Sequence, residues 1–485
     1  MNTALHLEST AISSCAHPTA DPAVAARELT PVVAGLARTG SEDAERLASG
    51  LVALARIYGT EPFTTLEQAR EQLAVGRDDF ARLLELFGEV PQLRTAVETG
   101  PAGMYWVNTL LPLERDGALD AALHGTYMFP RIVGLFPGPT CMFRCSFCAR
   151  ATGARYQQSS LADGNAMFAS LIDEMPLDNP TGMYVSGGLE PLTNPQLGEL
   201  VARAAARGLR MPMYSNSFAL TEQTLNRQPG LWDLSALRTS LYGLNDEEYE
   251  QTTTKRNAFT RVRKNLTRVQ QLRQERDAGI KLGFSYIILP GRADRLTDLV
   301  DFIAELNDAA PERPIDTLSL REDYSNSTEN SLPVAERIAL QEALAVFEER
   351  VRSHTPTLKV DYGYALHSLR MGADAKLLRI NDKDMRPRSH PQTTVQIDLL
   401  GDVYLYRGAA FPDLKGSDKY SIGRLAPGDS LGELLERFIT SGAGVESEPG
   451  DEYLLDGFDQ VITARLRQME ADVAAGWGEA RGFLR

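Results

Sequence analysis

Cysteine is scarce: there are four in 485 residues, and three of them, Cys141, Cys145 and Cys148, fall within eight positions. That leaves too few for the disulfide framework of a secreted protein and points to reduced thiols on one loop. Long apolar runs are missing too. Nowhere do about 18 apolar residues follow one another, so no membrane-spanning helix is expected. The first twenty residues hold no Lys or Arg and no apolar core of signal-peptide length, so a cytoplasmic protein is expected. Basic charge is in deficit: 50 Lys and Arg against 65 Asp and Glu give a net charge of −15, with no general attraction to nucleic acid or an anionic membrane. A phosphorylated substrate therefore needs a local basic site. Histidine is sparse as well. The six are scattered, with His124 nearest the cysteines, and they supply no partner pair to complete a structural zinc site.

What is present is a change of character along the chain. Residues 1–21 lack periodicity and are expected to form a mobile leader. Its Cys15 is a candidate fourth cluster ligand, although a lone thiol in a leader is usually incidental. From residue 22 to about 125 the pattern is helical, as in Asp78-Asp-Phe-Ala-Arg-Leu-Leu-Glu-Leu-Phe87, and a helical N-terminal domain is expected. Tyr105-Trp106 within it reads as an interdomain packing patch, with a substrate-facing role as the alternative.

Past Pro130 short β-like runs alternate with helical ones, as in a parallel α/β sheet. Strands are predicted at 132–135, 183–186, 211–214, 237–241, 282–289 and 317–320. Leu296, Leu299, Val300 and Ile303 show the helical spacing between two of them. Six βα repeats fit a partial (β/α)6 TIM-like barrel over residues 126–355. In such barrels the reactive groups gather beyond the carboxyl ends of the strands. Residues 356–485 are expected to form a mixed α+β C-terminal extension: strands at 358–364 and 393–399, a hairpin through Gly401-Asp402, and a terminal helix.

The loop Gly138-Pro-Thr-Cys141-Met-Phe-Arg-Cys145-Ser-Phe-Cys148 follows the first predicted strand. Three soft thiolates on one loop can hold three corners of an iron–sulfur cube, which leaves the fourth iron open to a small ligand. Together with Phe147 just before the last cysteine and Ser186-Gly-Gly-Leu-Glu190 after the second strand, this loop resembles the radical S-adenosylmethionine (radical SAM) enzymes.

The resemblance implies that Cys141, Cys145 and Cys148 hold a [4Fe–4S] cluster whose open iron chelates SAM, and that one electron then releases a 5′-deoxyadenosyl radical. It implies SAM contacts from Gly187, Gly188 and Glu190, the last accepting from the SAM ammonium. Asn216, Ser217 and Ser240 would meet the ribose or methionine part, and Ile288 and Gly291 the adenine edge. An electron donor such as flavodoxin or ferredoxin is implied as a partner.

Ser186–Pro195, Arg238–Tyr249, Arg321-Glu-Asp-Tyr324, Asp456–Gln460 and the ending at 482–485 are similar to one branch of that family, the amino-deoxysugar-nucleotide ammonia-lyases of desosamine and macrolide antibiotic biosynthesis. That similarity implies removal of hydrogen from C3 of TDP-4-amino-4,6-dideoxy-D-glucose and loss of the C4 amine as ammonia, giving the 3-keto-4,6-dideoxy sugar nucleotide. Arg suits the diphosphate because its fork matches phosphate oxygens. Arg150, Arg238, Arg292, Arg321 and Arg407 are candidates, with Arg238 and Arg321 foremost as substrate-binding residues. Arg321, Glu322 and Tyr242 are the expected catalytic residues, Glu322 and Tyr242 as proton acceptors for the C3 hydroxyl. A radical SAM dehydrogenase or aminomutase on another amino substrate is the alternative. A redox-sensing, DNA-binding regulator is the alternative from a different class, and the absence of a basic stripe in residues 22–113 counts against it.

Overall fold

The computed structural model describes residues 10–148, 155–323, 332–373, 378, 380–411, 415–478 and 484. Arg150, Tyr324, the 325–330 loop and all but Leu484 of the 482–485 ending lie outside the described residues. Two compact units are present, one of residues 1–123, 364–386 and 460–485, the other of 124–363 and 387–459. The stretch 356–485, expected as one extension, is thus divided between them.

In the first unit, helices Pro22–Ala37, Ser41–Thr60 and Arg77–Gly88 bury one apolar face each around Leu29, Leu51, Phe80 and Trp106. Thr65 and Gln68 form a capping box that starts helix Leu66–Gln72. Trp106 is fully buried, its indole N–H donating to the Tyr58 carbonyl at 2.8 Å. Tyr105 stacks on Tyr364 with ring centres 4.5 Å apart. These contacts are within this unit and not the interdomain patch expected, because Tyr364 returns to it from the far end of the chain. Residues 10–21 are not a mobile leader: Thr10–Ser13 is a helical turn, Ile12 and Cys15 are buried, and Arg56 Nη1 donates to the carbonyls of Cys15 and Ala20, each at 3.2 Å. One apolar turn this short carries no periodicity to read, and its order comes from packing.

The second unit is built on one sheet. Its strands are β1 Ile132–Phe136, β2 Met183–Val185, β3 Pro212–Ser215, β4 Ala236–Leu241, β5 Lys281–Ile288, β6 Thr317–Glu322, β7 Lys359–Tyr362, β8 Thr394–Asp398, β9 Asp402–Tyr404 and β10 Ser421–Arg424. They lie in the order β10-β9-β8-β1-β2-β3-β4-β5-β6-β7. Pairing is parallel from β8 through β1 to β7 and antiparallel among β8, β9 and β10. The six predicted strands form the unbroken β1–β6 run of a partial barrel. The predicted tail strands join the same sheet, β7 beside β6 and β8 beside β1, because pairing across 40 or more residues is a non-local contact that no local pattern encodes.

Helices Ala258–Glu275 and Leu296–Asp308 turn the Val262, Leu266, Val269 and Leu299, Val300, Ile303 stripes inward. In β4, β5 and β6 burial alternates residue by residue near the carboxyl ends. One set of side chains meets the helices, and the other enters the barrel.

Candidate active site

Beyond the carboxyl ends of β1–β6 lies a cavity of about 210 Å³ bordered by Cys141, Cys145, Cys148, Gly187, Gly188, Glu190, Asn216, Ser240, Tyr242 and Arg321, all singled out from the sequence. The chain reaches this arrangement by close backbone approach. Gly138 lies against the main chain of Glu190, where a Cβ would come within 2.6 Å of the carbonyl oxygen, and Glu190 N–H donates to the Thr140 carbonyl at 3.0 Å. Gly187 has φ +139°, a conformation that favours glycine, and packs on Phe136.

The cysteine loop is held from behind. The N–H groups of Arg144 and Ser146 donate to the carbonyls of Thr253 and Thr252, at the end of helix Asp246–Thr253. Buried Arg292 braces that end: it donates to the Tyr242 carbonyl at 2.5 Å, the Glu248 carbonyl at 3.3 Å and the Thr252 hydroxyl at 2.8 Å. Its donors are used here rather than kept for a diphosphate. Phe143, Phe147 and Tyr249 ring Tyr242 with centres 5.6 to 5.8 Å away, so its ring packs against two aromatics of the cysteine loop. Tyr242 thus serves the cysteine loop.

None of the three loop cysteines is in a disulfide. Burial pushes the Cys141 thiol up to about 11 and Cys145 higher still. Thiols so placed shed their protons when a cation is bound, the usual condition of metal-ligating cysteine. The Phe143 N–H points at Cys141 Sγ from 3.4 Å, and the Asn216 side-chain amide lies 3.2 Å from Met142 Sδ and 3.7 Å from Cys141 Sγ, the kind of donor that would steady a cluster-ligating sulfur. Among the described residues no three His, Cys, Asp or Glu side chains are grouped to hold a single metal ion. His124 is exposed and lies away from the cavity wall. The donor set fits a cluster bound by three thiolates on one loop.

Glu190 is buried, and burial raises its carboxyl above the ordinary value although three donors oppose this: Ser215 hydroxyl at 2.6 Å, Asn216 N–H at 2.8 Å and Leu192 N–H at 3.2 Å. About one of a carboxylate's four acceptor positions is left for a ligand.

The remaining expected residues are placed elsewhere. Ser217 is buried with φ +55°, its hydroxyl 2.7 Å from that of Thr239. Ile288 is buried on the opposite face of β5, and its neighbour Ile287 borders the cavity. Gly291 gives its N–H to Glu336 at 2.7 Å and lies outside the lining. Glu322 faces away from the cavity and pairs with Arg337 at 3.2 Å. Arg238 enters the barrel below the lining, on the Tyr214 hydroxyl. Arg407 packs over Phe458 and faces Asp456 at 3.5 Å. Tyr214, Ser285 and Ile287 line the cavity without having been picked out from the sequence. Strand alternation from Asn216, Ser240 and Arg321 was the signal that could have found them.

These features define a radical SAM centre, and the comparisons agree. The Radical SAM superfamily model matches residues 135–303, and the chain belongs to that superfamily, which makes a [4Fe–4S] cluster and SAM its cofactors and an electron donor a requirement. The chain is 62% identical over 471 residues to the dTDP-4-amino-4,6-dideoxy-D-glucose ammonia-lyase of Streptomyces venezuelae, with 97% of each chain covered. Among solved structures, Streptococcus suis SuiB bound to precursor peptide SuiA matches with TM-score 0.47 and 16% identity over 72% of this chain and 75% of that one. His6-tagged anSMEcpe with bound AdoMet matches with TM-score 0.42 and 13% identity over 73% and 98%. Among the described residues no helix is long and apolar enough to cross a membrane.

Proposed function

We propose that the chain is a radical SAM ammonia-lyase that converts TDP-4-amino-4,6-dideoxy-D-glucose to TDP-3-keto-4,6-dideoxy-D-glucose, as in desosamine formation for macrolides. The observation that carries this is the 62% identity, spread over 97% of the chain, to the relative of that name. An identity confined to the barrel would support only the shared radical chemistry.

Cys141, Cys145 and Cys148 hold the cluster, and Gly187, Gly188, Glu190, Asn216 and Ser240 hold SAM, with Ile287 against the adenine in place of Ile288. The cluster and SAM, when bound, supply the adenosyl radical that takes the C3 hydrogen. The free position on Glu190 receives the SAM ammonium. Arg321, bordering the cavity from the end of β6, meets the nucleotide sugar and is the cation best placed for its charge. Phe143, Phe147 and Tyr242 wall the cluster side and keep water from the radical. A flavodoxin or ferredoxin supplies the electron, in a cytoplasm that keeps the loop thiols reduced.

Anaerobically reconstituted protein given a reductant, SAM and this sugar nucleotide is expected to release ammonia and form 5′-deoxyadenosine. Formation of 5′-deoxyadenosine without ammonia would sink the lyase assignment and leave a dehydrogenase or aminomutase.

A further inference from the structure

Tyr214 on β3 sits directly across from Arg238 on β4 in the parallel register. Arg238 Nη1 lies 3.0 Å from the Tyr214 hydroxyl oxygen, and its guanidinium carbon is 5.6 Å from the ring centre. A guanidinium only donates, so the phenol oxygen accepts and its own hydrogen must be directed elsewhere. The Tyr184 ring stands edge-on to Tyr214 at 6.2 Å, but its hydroxyl is spent on Gln396 at 3.4 Å. Tyr214 borders the cavity and Arg238 does not. Among the described residues no carboxylate lies within ion-pair distance of Arg238, whose guanidinium donates to the Tyr214 hydroxyl. The barrel wall therefore carries at Tyr214 a phenol whose oxygen is bound by Arg238, on the strand that ends at Ser215, whose hydroxyl is bonded to Glu190.

We infer that Tyr214 donates a hydrogen bond to the C3 oxygen of the sugar, and that Arg238 acts through it as a positioning residue. The inference rests on the lyase reading. Once the C3 hydrogen atom has gone, the C3 hydroxyl loses its proton and the C4–N bond breaks. The amine leaves with that proton as ammonia, the C3 carbonyl forms, and the unpaired electron moves to C4. Atoms and electrons balance within this step without a reductant. Charge is greatest on the C3 oxygen once its proton has left, before the C4–N bond breaks and the neutral carbonyl forms, and a fixed donor backed by a cation stabilises it most at that stage.

The test uses reconstituted holoenzyme and measures ammonia and 5′-deoxyadenosine together. Tyr214→Phe is expected to lower kcat for ammonia release about 100-fold, the effect of removing one such donor, with KM changed less than about threefold. Iron content and SAM binding are expected to stay at wild-type levels, and more 5′-deoxyadenosine is expected per ammonia. Arg238→Met should move kcat the same way, and Arg238→Lys should recover part of it by keeping the cation. A merely structural role would shift iron content or SAM binding along with kcat. Ammonia release by Tyr214→Phe within about threefold of wild type overturns the inference and leaves the lyase reading standing. Wild-type protein that forms 5′-deoxyadenosine but no ammonia overturns both.

Discussion

Glu190 Oε2 accepts the main-chain N–H of Asn216 at 2.8 Å while Oε1 takes the Ser215 hydroxyl at 2.6 Å. One buried carboxylate thereby ties the Gly-Gly-Leu-Glu turn to the end of β3, beyond which Asn216 turns its amide to the sulfurs of Met142 and Cys141. Glu190→Ala leaves these donors without an acceptor in a buried site. The expected loss is about 3 kcal/mol in denaturant unfolding, the scale for orphaned buried donors, with SAM affinity down roughly tenfold. Glu190→Gln keeps one oxygen and should lose less of both. Unchanged SAM binding in the alanine variant would remove Glu190 from the cofactor site.

Arg292 is the brace of the cysteine loop, and it acts from behind. Arg292→Met is expected to lose visible absorbance and bound iron in air about tenfold faster than wild type, the scale of effect for groups that support metal ligands. Equal rates of cluster loss would show that the carbonyls of Thr252 and Thr253 hold the loop without it.

The β5 parity is testable at two adjacent positions. Ile288→Ala removes a fully buried side chain and should cost about 2–5 kcal/mol of stability. Ile287→Ala, at the cavity wall, should change stability by less than about 1 kcal/mol and weaken SAM binding roughly tenfold. The opposite pattern in urea midpoints and SAM titrations would reverse the assignment.

This parity also shows where sequence reasoning stopped. The cysteine spacing and the Ser186–Glu190 turn are local, so they named the chemistry directly, and strong alternation marked β1–β6. A strand's register and facing are set by its partners, so Ile288 was chosen where Ile287 lines the cavity, and Tyr214 passed unnoticed two residues before Asn216. Arg292 and Glu322 were legible as polar residues at strand ends. Their partners Thr252 and Arg337 lie 40 and 15 residues away, and only the fold shows that both serve protein contacts. Cys15 in the supposed leader is buried, its thiol pushed up to about 11 by burial, so it packs as a small apolar residue.

Asp398, at the end of β8, gives a pH signature. It is buried and accepts from the Tyr156 hydroxyl at 2.8 Å and from the Leu400 and Asp402 N–H groups at 2.9 and 3.1 Å, yet burial holds its carboxyl above the ordinary range. A carboxyl raised on folding favours the protonated native state. Its contribution to stability is complete below the unfolded value of about 3.9 and is lost as pH rises through the folded value. Asp398→Asn keeps an oxygen for the two N–H groups and does not titrate. The unfolding free energy of wild type minus that of the variant is therefore expected to fall as pH rises from about 4 towards 7, and to level off above the folded value. Urea titrations across that range measure the difference, and a difference that rises with pH would mean that the hydrogen bonds to Asp398 outweigh its burial.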